Sequence, residues 1–242
     1  MLDSIDDSPP RVARRGARAG LLAMRVVDVC AAALALVVLS PLLLLVAAIL
    51  RATGEGEVFY RQQRVGLGGR TFGMWKFATM LKDSARQGAG PLTLRDDPRV
   101  LPFGRVLRRT KINELPQLLN VLSGEMSLIG PRPQAPPHFE VYPEDVRAAL
   151  GSVRPGLSGI ASIVFRDEER LLARAEDQER FYLRVIAPYK GEVERWYVER
   201  QGFGLYVALI VLTVWAVLFP SSRAWRRVLR DLPPPPPELH RW

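Results

Sequence analysis

A run of apolar residues over positions 26–50 constrains this chain more than any other feature. It is broken only by Asp28 near its start and by Ser40–Pro41 in its middle. A helix needs about 20 apolar residues to span a bilayer, so the run is long enough to cross. Pro41, however, removes one helical hydrogen bond and clashes with the preceding turn, and a bend is expected there. Each half then reaches only about 15 to 20 Å at 1.5 Å per residue, part-way through the hydrocarbon. Both flanks are basic, with Arg14, Arg15, Arg18 and Arg25 before the run and Arg51, Arg61 and Arg64 after it. The positive-inside bias therefore does not separate the ends. On the residues alone, a straight crossing and a re-entrant helix that enters and leaves one leaflet stay equally open. Asp28 reads as structural, paired with Arg25 one helical turn earlier.

The remaining length of the 242-residue chain suffices for one domain of ordinary size plus appendages. Much of the +9 formal charge flanks apolar segments. That distribution suits an anionic membrane surface; the interleaved basic and aromatic stripe of a nucleic-acid groove is missing. Cys30 is the only cysteine, which rules out an intramolecular disulfide and fits a reducing compartment. No cleavable signal is expected: the opening LDSIDDSPP lacks a basic n-region, and the apolar run is too long for an h-region.

After the apolar run the composition turns to short strands and turns. Residues 58–60 and 71–77 are β-branched and aromatic, joined by RVGLGGR. Gly66, Gly68 and Gly69 of that loop read as a hairpin turn; no Walker lysine-serine pair follows them. Four arginines (Arg99, Arg105, Arg108 and Arg109) then fall within eleven residues, just before the block over 110–133, TKINELPQLLNVLSGEMSLIGPRP. This block sets Asn113 and Glu114 at the start of a short apolar helix, a stop at Ser123–Gly124, a strand-like MSLI, and a rigid turn holding Arg132 between two prolines. A carboxylate at a helix start beside a fixed arginine suits phosphate and a divalent metal. Asn113 also reads as a good N-cap for a helix starting at Glu114.

Further on, an apolar, strand-like IVF precedes FRDEER, where Asp167, Glu168 and Glu169 form either a charged helix start or a reserve of active-site carboxylate. The stretch over 202–220 is apolar, of marginal membrane length and again basic on both sides (Arg195 and Arg200; Arg223, Arg226, Arg227 and Arg230). With Trp196 and Tyr197 just upstream, a helix in the headgroup plane or dipping into one leaflet is favoured. Pro233 to Pro237 read as a polyproline II tail without core-forming capacity.

Taken in order, these motifs closely resemble the signature of the bacterial sugar transferase family, the monotopic polyprenyl-phosphate phosphoglycosyl transferases. WKFATM matches a family strand that usually reads Tyr-Lys-Phe-Arg-Ser-Met, keeping Lys76 but placing Ala78 at the arginine. Asp97–Pro98–Arg99 and Gly104–Arg105 resemble the next family element, leading through Arg108 and Arg109 to the central block; Pro155–Gly156–Leu157–Ser158–Gly159 resembles a later turn. The likeness covers positions 25–159. One departure stands out: the family typically reads Asp-Glu-Leu-Pro-Gln, and here the first position, which in the family carries the nucleophile, is Asn113.

The resemblance implies a mostly helical α+β fold. Its parts would be a basic N-terminus (1–20), a Pro-broken re-entrant membrane helix (21–51), a small cytoplasmic catalytic domain with a β-hairpin (52–200), an interfacial helix (201–220) and a basic, Pro-rich tail (221–242). It implies transfer of a sugar 1-phosphate from a UDP-sugar to a membrane polyprenyl phosphate, with Mg²⁺ and release of UMP, at the cytoplasmic face of a bacterial inner membrane. Glu114 would hold the metal, and Arg132, Lys76, Arg99, Arg108 and Arg109 would contact phosphate groups. Because an amide oxygen is a poor nucleophile, three routes stay open: attack by Glu114, an acid among Asp167 to Glu169, or direct attack by the lipid phosphate with Asn113 as positioner. The competing classes are a catalytically silent membrane scaffold of the same family and a basic peripheral lipid binder. Nothing in the residues identifies the sugar or the oligomeric state.

Overall fold

The computed structural model describes residues 11–82, 84, 97–172 and 175–239. The first element, α1 (Arg11–Thr53), is a single 43-residue helix. By length and composition it could cross a membrane, and only 11% of its most apolar stretch is buried inside the protein. The helical hydrogen-bond pattern continues through Pro41, where a bend is expected. Proline deprives the carbonyl four residues back, that of Val37, of its N–H partner. Ser40 Oγ donates to that same carbonyl at 2.8 Å and replaces the missing bond.

Both halves of α1 pack on the same globular unit. In the first half, Met24 joins the large core around Ile160, Val193 and Tyr197, while Ala32 meets Leu118, Val121 and Met126. In the second, Val46 and Leu50 pack on Phe77 and Leu107. Between them Leu34, Val37, Val38 and Leu44 are exposed.

The hairpin is formed by β1 (Phe59–Val65) and β2 (Thr71–Phe77), antiparallel, with Phe59 opposite Phe77 and Val65 opposite Thr71. The first strand is longer than the residues suggested. Its connection is a tight turn in which Gly68 and Gly69 have φ near +70°, a region that disfavours side chains. A short helix α2 (Pro102–Arg109) leads into a 3₁₀ turn, Ile112–Gln117, and then α3 (Leu118–Ser123), which stops at Gly124 with φ +86°. Asn120 on α3 occupies the free edge of β2: its Oδ1 accepts from Trp75 N–H and its Nδ2 donates to the Gly73 carbonyl.

Strand β3 (Ser127–Ile129) is followed by α4 (Pro136–Glu140) and α5 (Glu144–Gly151), then by β4 (Gly156–Ser158), which pairs parallel with β3. The two glycine motifs meet here. A Cβ on Gly156 would lie 2.1 Å from Gly130 N, so backbone approaches backbone too closely for any side chain. The apolar stretch after Gly159 is a helix, α6 (Ile160–Val164), which corrects the strand-like reading. A run this short carries no decisive period, and burial on all sides suits either state. The charged helix start at FRDEER is present as α7 (Glu168–Leu172). After α8 (Gln178–Phe181) and a π-helical turn (Tyr182–Ile186) come α9 (Ala187–Glu199) and α10 (Phe203–Leu218). The 16 residues of α10 bury Tyr206, Leu209 and Leu212, and expose Val211, Val214, Val217 and Leu218.

Two further corrections concern side chains. Asp28 does not pair with Arg25. Its Oδ1 accepts from Ser127 Oγ (3.0 Å), Leu128 N–H (2.7 Å) and Tyr206 Oη (2.6 Å), tying α1 to β3 and α10. Arg25 instead donates to the Val121 and Leu122 carbonyls at the end of α3, where a cation is favourable. The proline tail also contributes to the core: after α11 (Trp225–Val228), Leu229 and Leu239 are buried in the main cluster, and Tyr189 Oη donates to the Pro233 carbonyl. Prolines preset the extended path that lets the flanking leucines dock.

Asp28→Ala leaves buried donors without an acceptor. It is expected to cost roughly 3 kcal/mol, seen as a Tm roughly 6 to 12 °C lower in detergent for a chain of this size. Tyr206→Phe, which removes one donor, should cost about a third as much.

Candidate active site

The 3₁₀ turn places Asn113 and Glu114 side by side but pointing apart, because successive residues in a three-fold helix project about 120° from one another. Asn113 is not the N-cap: Lys111, at φ +61°, holds that position. The Asn113 side chain is buried, and its Oδ1 has no hydrogen-bond partner. Glu114 points into a cluster of cations. Its Oε1 lies 3.4 Å from Lys76 Nζ of β2 and 3.4 Å from Arg132 Nη2 of the Gly-Pro-Arg-Pro turn.

The electrostatics follow from burial and charge. Burial alone would raise the Glu114 carboxyl, yet Arg132, Lys76 and Lys111 together outweigh it and hold the group at about 2. Burial is also the largest influence on Lys76, which falls to about 8; Glu114 raises it, while Arg132 and Arg64 lower it further. Arg64 on β1 falls to about 10 through burial and the nearby Arg132 charge. Its Nε is buried without a partner.

Arg132 is held from beneath by Glu194 of α9, whose Oε1 accepts the Arg132 backbone N–H at 2.9 Å. Burial pushes the Glu194 carboxyl up to about 7, against the Arg132 hydrogen bond and the Lys190 charge. Its Oε2 has no partner. Neither Arg64 nor Glu194 was singled out from the sequence. Arg64 reads there as one more basic residue in a hairpin, and Glu194 as one acid in a charged helix; only the buried faces they occupy distinguish them.

Two of the other anticipated residues, Arg99 and Glu168, are engaged by partners other than Glu114. Arg99 is buried in a bidentate pair with Asp97 (2.6 Å at the shortest contact) and donates to the Ser84 carbonyl. The half-buried Arg108 of α2 is close enough to help lower the Asp97 carboxyl, and Arg109 is exposed at the end of α2. Asp167 is exposed, while Glu168 accepts from Lys190 Nζ at 2.6 Å. The Glu169 side chain lies outside the described residues. The Glu168 charge acts on Tyr182, as do those of Arg132 and Arg64. Among the described residues no three His, Cys, Asp or Glu side chains converge as a metal site would require.

A carboxylate between two cations, with a third cation close by and an orphaned amide oxygen next in the chain, suits a phosphorylated ligand. Comparison with known proteins agrees. The family profile described as "Bacterial sugar transferase" matches residues 19–220, and the chain belongs to that family. It is 39% identical over 163 residues to the exopolysaccharide production protein ExoY of Sinorhizobium fredii, covering 62% of this chain and 72% of that one. It is 44% identical over 146 residues to a UDP-glucose:undecaprenyl-phosphate glucose-1-phosphate transferase of Caulobacter vibrioides, covering 59% of this chain and 54% of that enzyme. The sugar transferase EpsL of Bacillus subtilis, named as uncharacterized, is 36% identical over 198 residues, 82% of this chain and 88% of that protein.

The Lys76 ammonium should titrate near pH 8, measurable by NMR of the ¹³C-dimethylated lysine. Glu114→Gln removes the charge that raises it, so the midpoint must move down; an upward move would contradict the cluster.

Proposed function

We propose that this protein transfers a sugar 1-phosphate from a UDP-sugar to a membrane polyprenyl phosphate and releases UMP, working at the cytoplasmic face of a bacterial inner membrane. The observation that carries the reading is Glu114 Oε1 shared between Lys76 and Arg132. The names of the Caulobacter relative and of a UDP-glucose:undecaprenyl-phosphate glucose-1-phosphate transferase of Escherichia coli, 37% identical over 168 residues, supply the reaction class. Lipid access is supported by α1, which presents a bare apolar surface while both its halves pack on one domain. A straight crossing would carry one half away from that domain, so a re-entrant helix fits better.

Glu114 is ionised at every working pH and uses Oε1 for its two ion pairs. That leaves Oε2 as a hard oxygen donor of the kind Mg²⁺ accepts alongside water and substrate phosphates. The ion would neutralise diphosphate charge. Because Lys76 and Arg132 flank Glu114, Mg²⁺ alone should bind weakly and UDP should tighten it; calorimetric titration with and without UDP tests this. Arg132, held rigidly by its prolines and Glu194, and Lys76 orient the donor phosphates. Asn113 carries no charge to attack phosphorus, Asp167 is exposed, and Glu168 is engaged by Lys190. The route this favours is direct attack by the lipid phosphate, with Asn113 hydrogen-bonding in the site.

Glu114→Gln should reduce UMP release at least 100-fold; turnover near the wild-type rate would defeat the assignment and revive the silent-scaffold reading. Intact-mass analysis after incubation with a UDP-sugar and no acceptor should show no phosphosugar adduct on the wild type and an adduct on Asn113→Asp. An adduct on the wild-type chain would overturn the direct route, and its attachment residue would name the nucleophile.

A further inference from the structure

The Arg64 side chain makes no hydrogen bond and no ion pair among the described residues, although most of it is out of water. An arginine in that position is costly unless an anion meets it. The nearby acid is already engaged, since Glu114 Oε1 is shared by Lys76 and Arg132. Lys76, Arg132 and Lys111 already act on that one carboxylate and Arg64 stands with them, so positive charge is in excess. A diphosphate in a diester-like linkage carries two negative charges that this excess can meet.

The cluster also has a direction. Lys76 is next to Phe77, which packs on Val46 and Leu50 of the apolar helix α1. Arg64 lies toward the other end of the hairpin, opposite Phe72, and Val65 beside it donates its N–H to the Gln134 carbonyl. Its charge acts on His138 of α4 and on Tyr182, whose rings are 6.2 Å apart. Tyr182 packs both on a core built from Tyr142, Val146, Leu150 and Ala187 and on the larger core that Met24 of α1 joins. Lys76 thus lies toward the Phe77 end of the hairpin and Arg64 toward its turn, beside two aromatic rings that can lie against a base or ribose.

We propose that Arg64 binds the nucleotide-side phosphate of the donor, the group that departs as UMP, with His138 and Tyr182 beside the nucleoside. This rests on the transferase reading above. In the transfer, the bond between the donor's β-phosphorus and the bridging oxygen breaks. That oxygen keeps the electron pair and leaves on UMP, while a new bond joins the same phosphorus to an oxygen of the lipid phosphate. The departing phosphate gains one unit of negative charge as this happens. A guanidinium already fixed and desolvated next to it stabilises the transition state more than the bound donor. The planar fork matches two phosphate oxygens, which an ammonium cannot do.

The test uses the full chain in detergent and UMP as the probe, by calorimetry, without acceptor or turnover. Arg64→Gln should weaken UMP binding about 10- to 100-fold, and Arg64→Lys by an intermediate factor. Arg70→Gln, an exposed arginine of the same hairpin, should stay within about twofold. In steady-state assays the donor KM should rise with the polyprenyl phosphate KM unchanged. Should Arg64→Gln fail to fold, Arg64→Lys decides alone. Unchanged UMP affinity in the folded variants, or a shift in the acceptor KM instead of the donor KM, overturns the assignment. Loss of UMP binding in a protein that turns over no UDP-sugar would refute the transferase reading and leave the Arg64 assignment standing.

Discussion

A carboxylate enclosed at the start of an apolar helix has to find its donors inside the protein, and Asp28 takes them from β3 and α10, far along the chain. Those three bonds fix the rotation of α1 about its own axis. Ala32 is thereby turned onto α3, and the opposite face, with Leu34, Val37 and Val38, is left bare. One helical turn before Asp28, Arg25 caps the end of α3. That helix in turn carries Asn120 to the edge of β2, which holds Lys76; β3, gripped by Asp28, leads directly into the turn that holds Arg132. The two cations that meet at Glu114 are thus both referred back to the same apolar helix. In physical terms, the orientation of the apolar surface and the assembly of the charged site are one constraint.

The site is deliberately unbalanced in charge. Glu114 is outweighed by the cations around it, while burial pushes up the carboxyl of Glu194, which accepts the Arg132 backbone N–H. Such an arrangement is unfavourable when empty and becomes favourable when a polyanion enters. The surplus acids of the chain are kept elsewhere: Asp97 on Arg99, Glu168 on Lys190.

What was legible in the residues was what depends on near neighbours. The hairpin, the stop at Gly124 and the charged start of α7 each need only a few residues with a local preference, and each is present. Misread features were those in which a distant partner decides. Arg25 and Asp28, spaced as a helical pair, each take partners from other elements. Asn113 looked like a cap, but the backbone of Lys111 turns first. Leu229 and Leu239, on either side of the proline run, are buried in the main cluster.

By itself, then, the sequence determined the motifs and their order: an apolar run with a proline, a Glu114 block, a Gly-Pro-Arg-Pro turn and a second glycine motif, enough to point to a family and a reaction class. It did so because residue type and short spacing carry backbone preference and chemical capacity directly. Only the tertiary structure decided which charges share a space. Parallel pairing of β3 with β4 brings Gly130 against Gly156, and the packing of α9 sets Glu194 under Arg132. Likewise, β1 turns Arg64 toward the cluster while Arg99 is turned away into Asp97. Charges interact through distance and dielectric, and neither quantity exists for a pair of residues until the chain between them has folded.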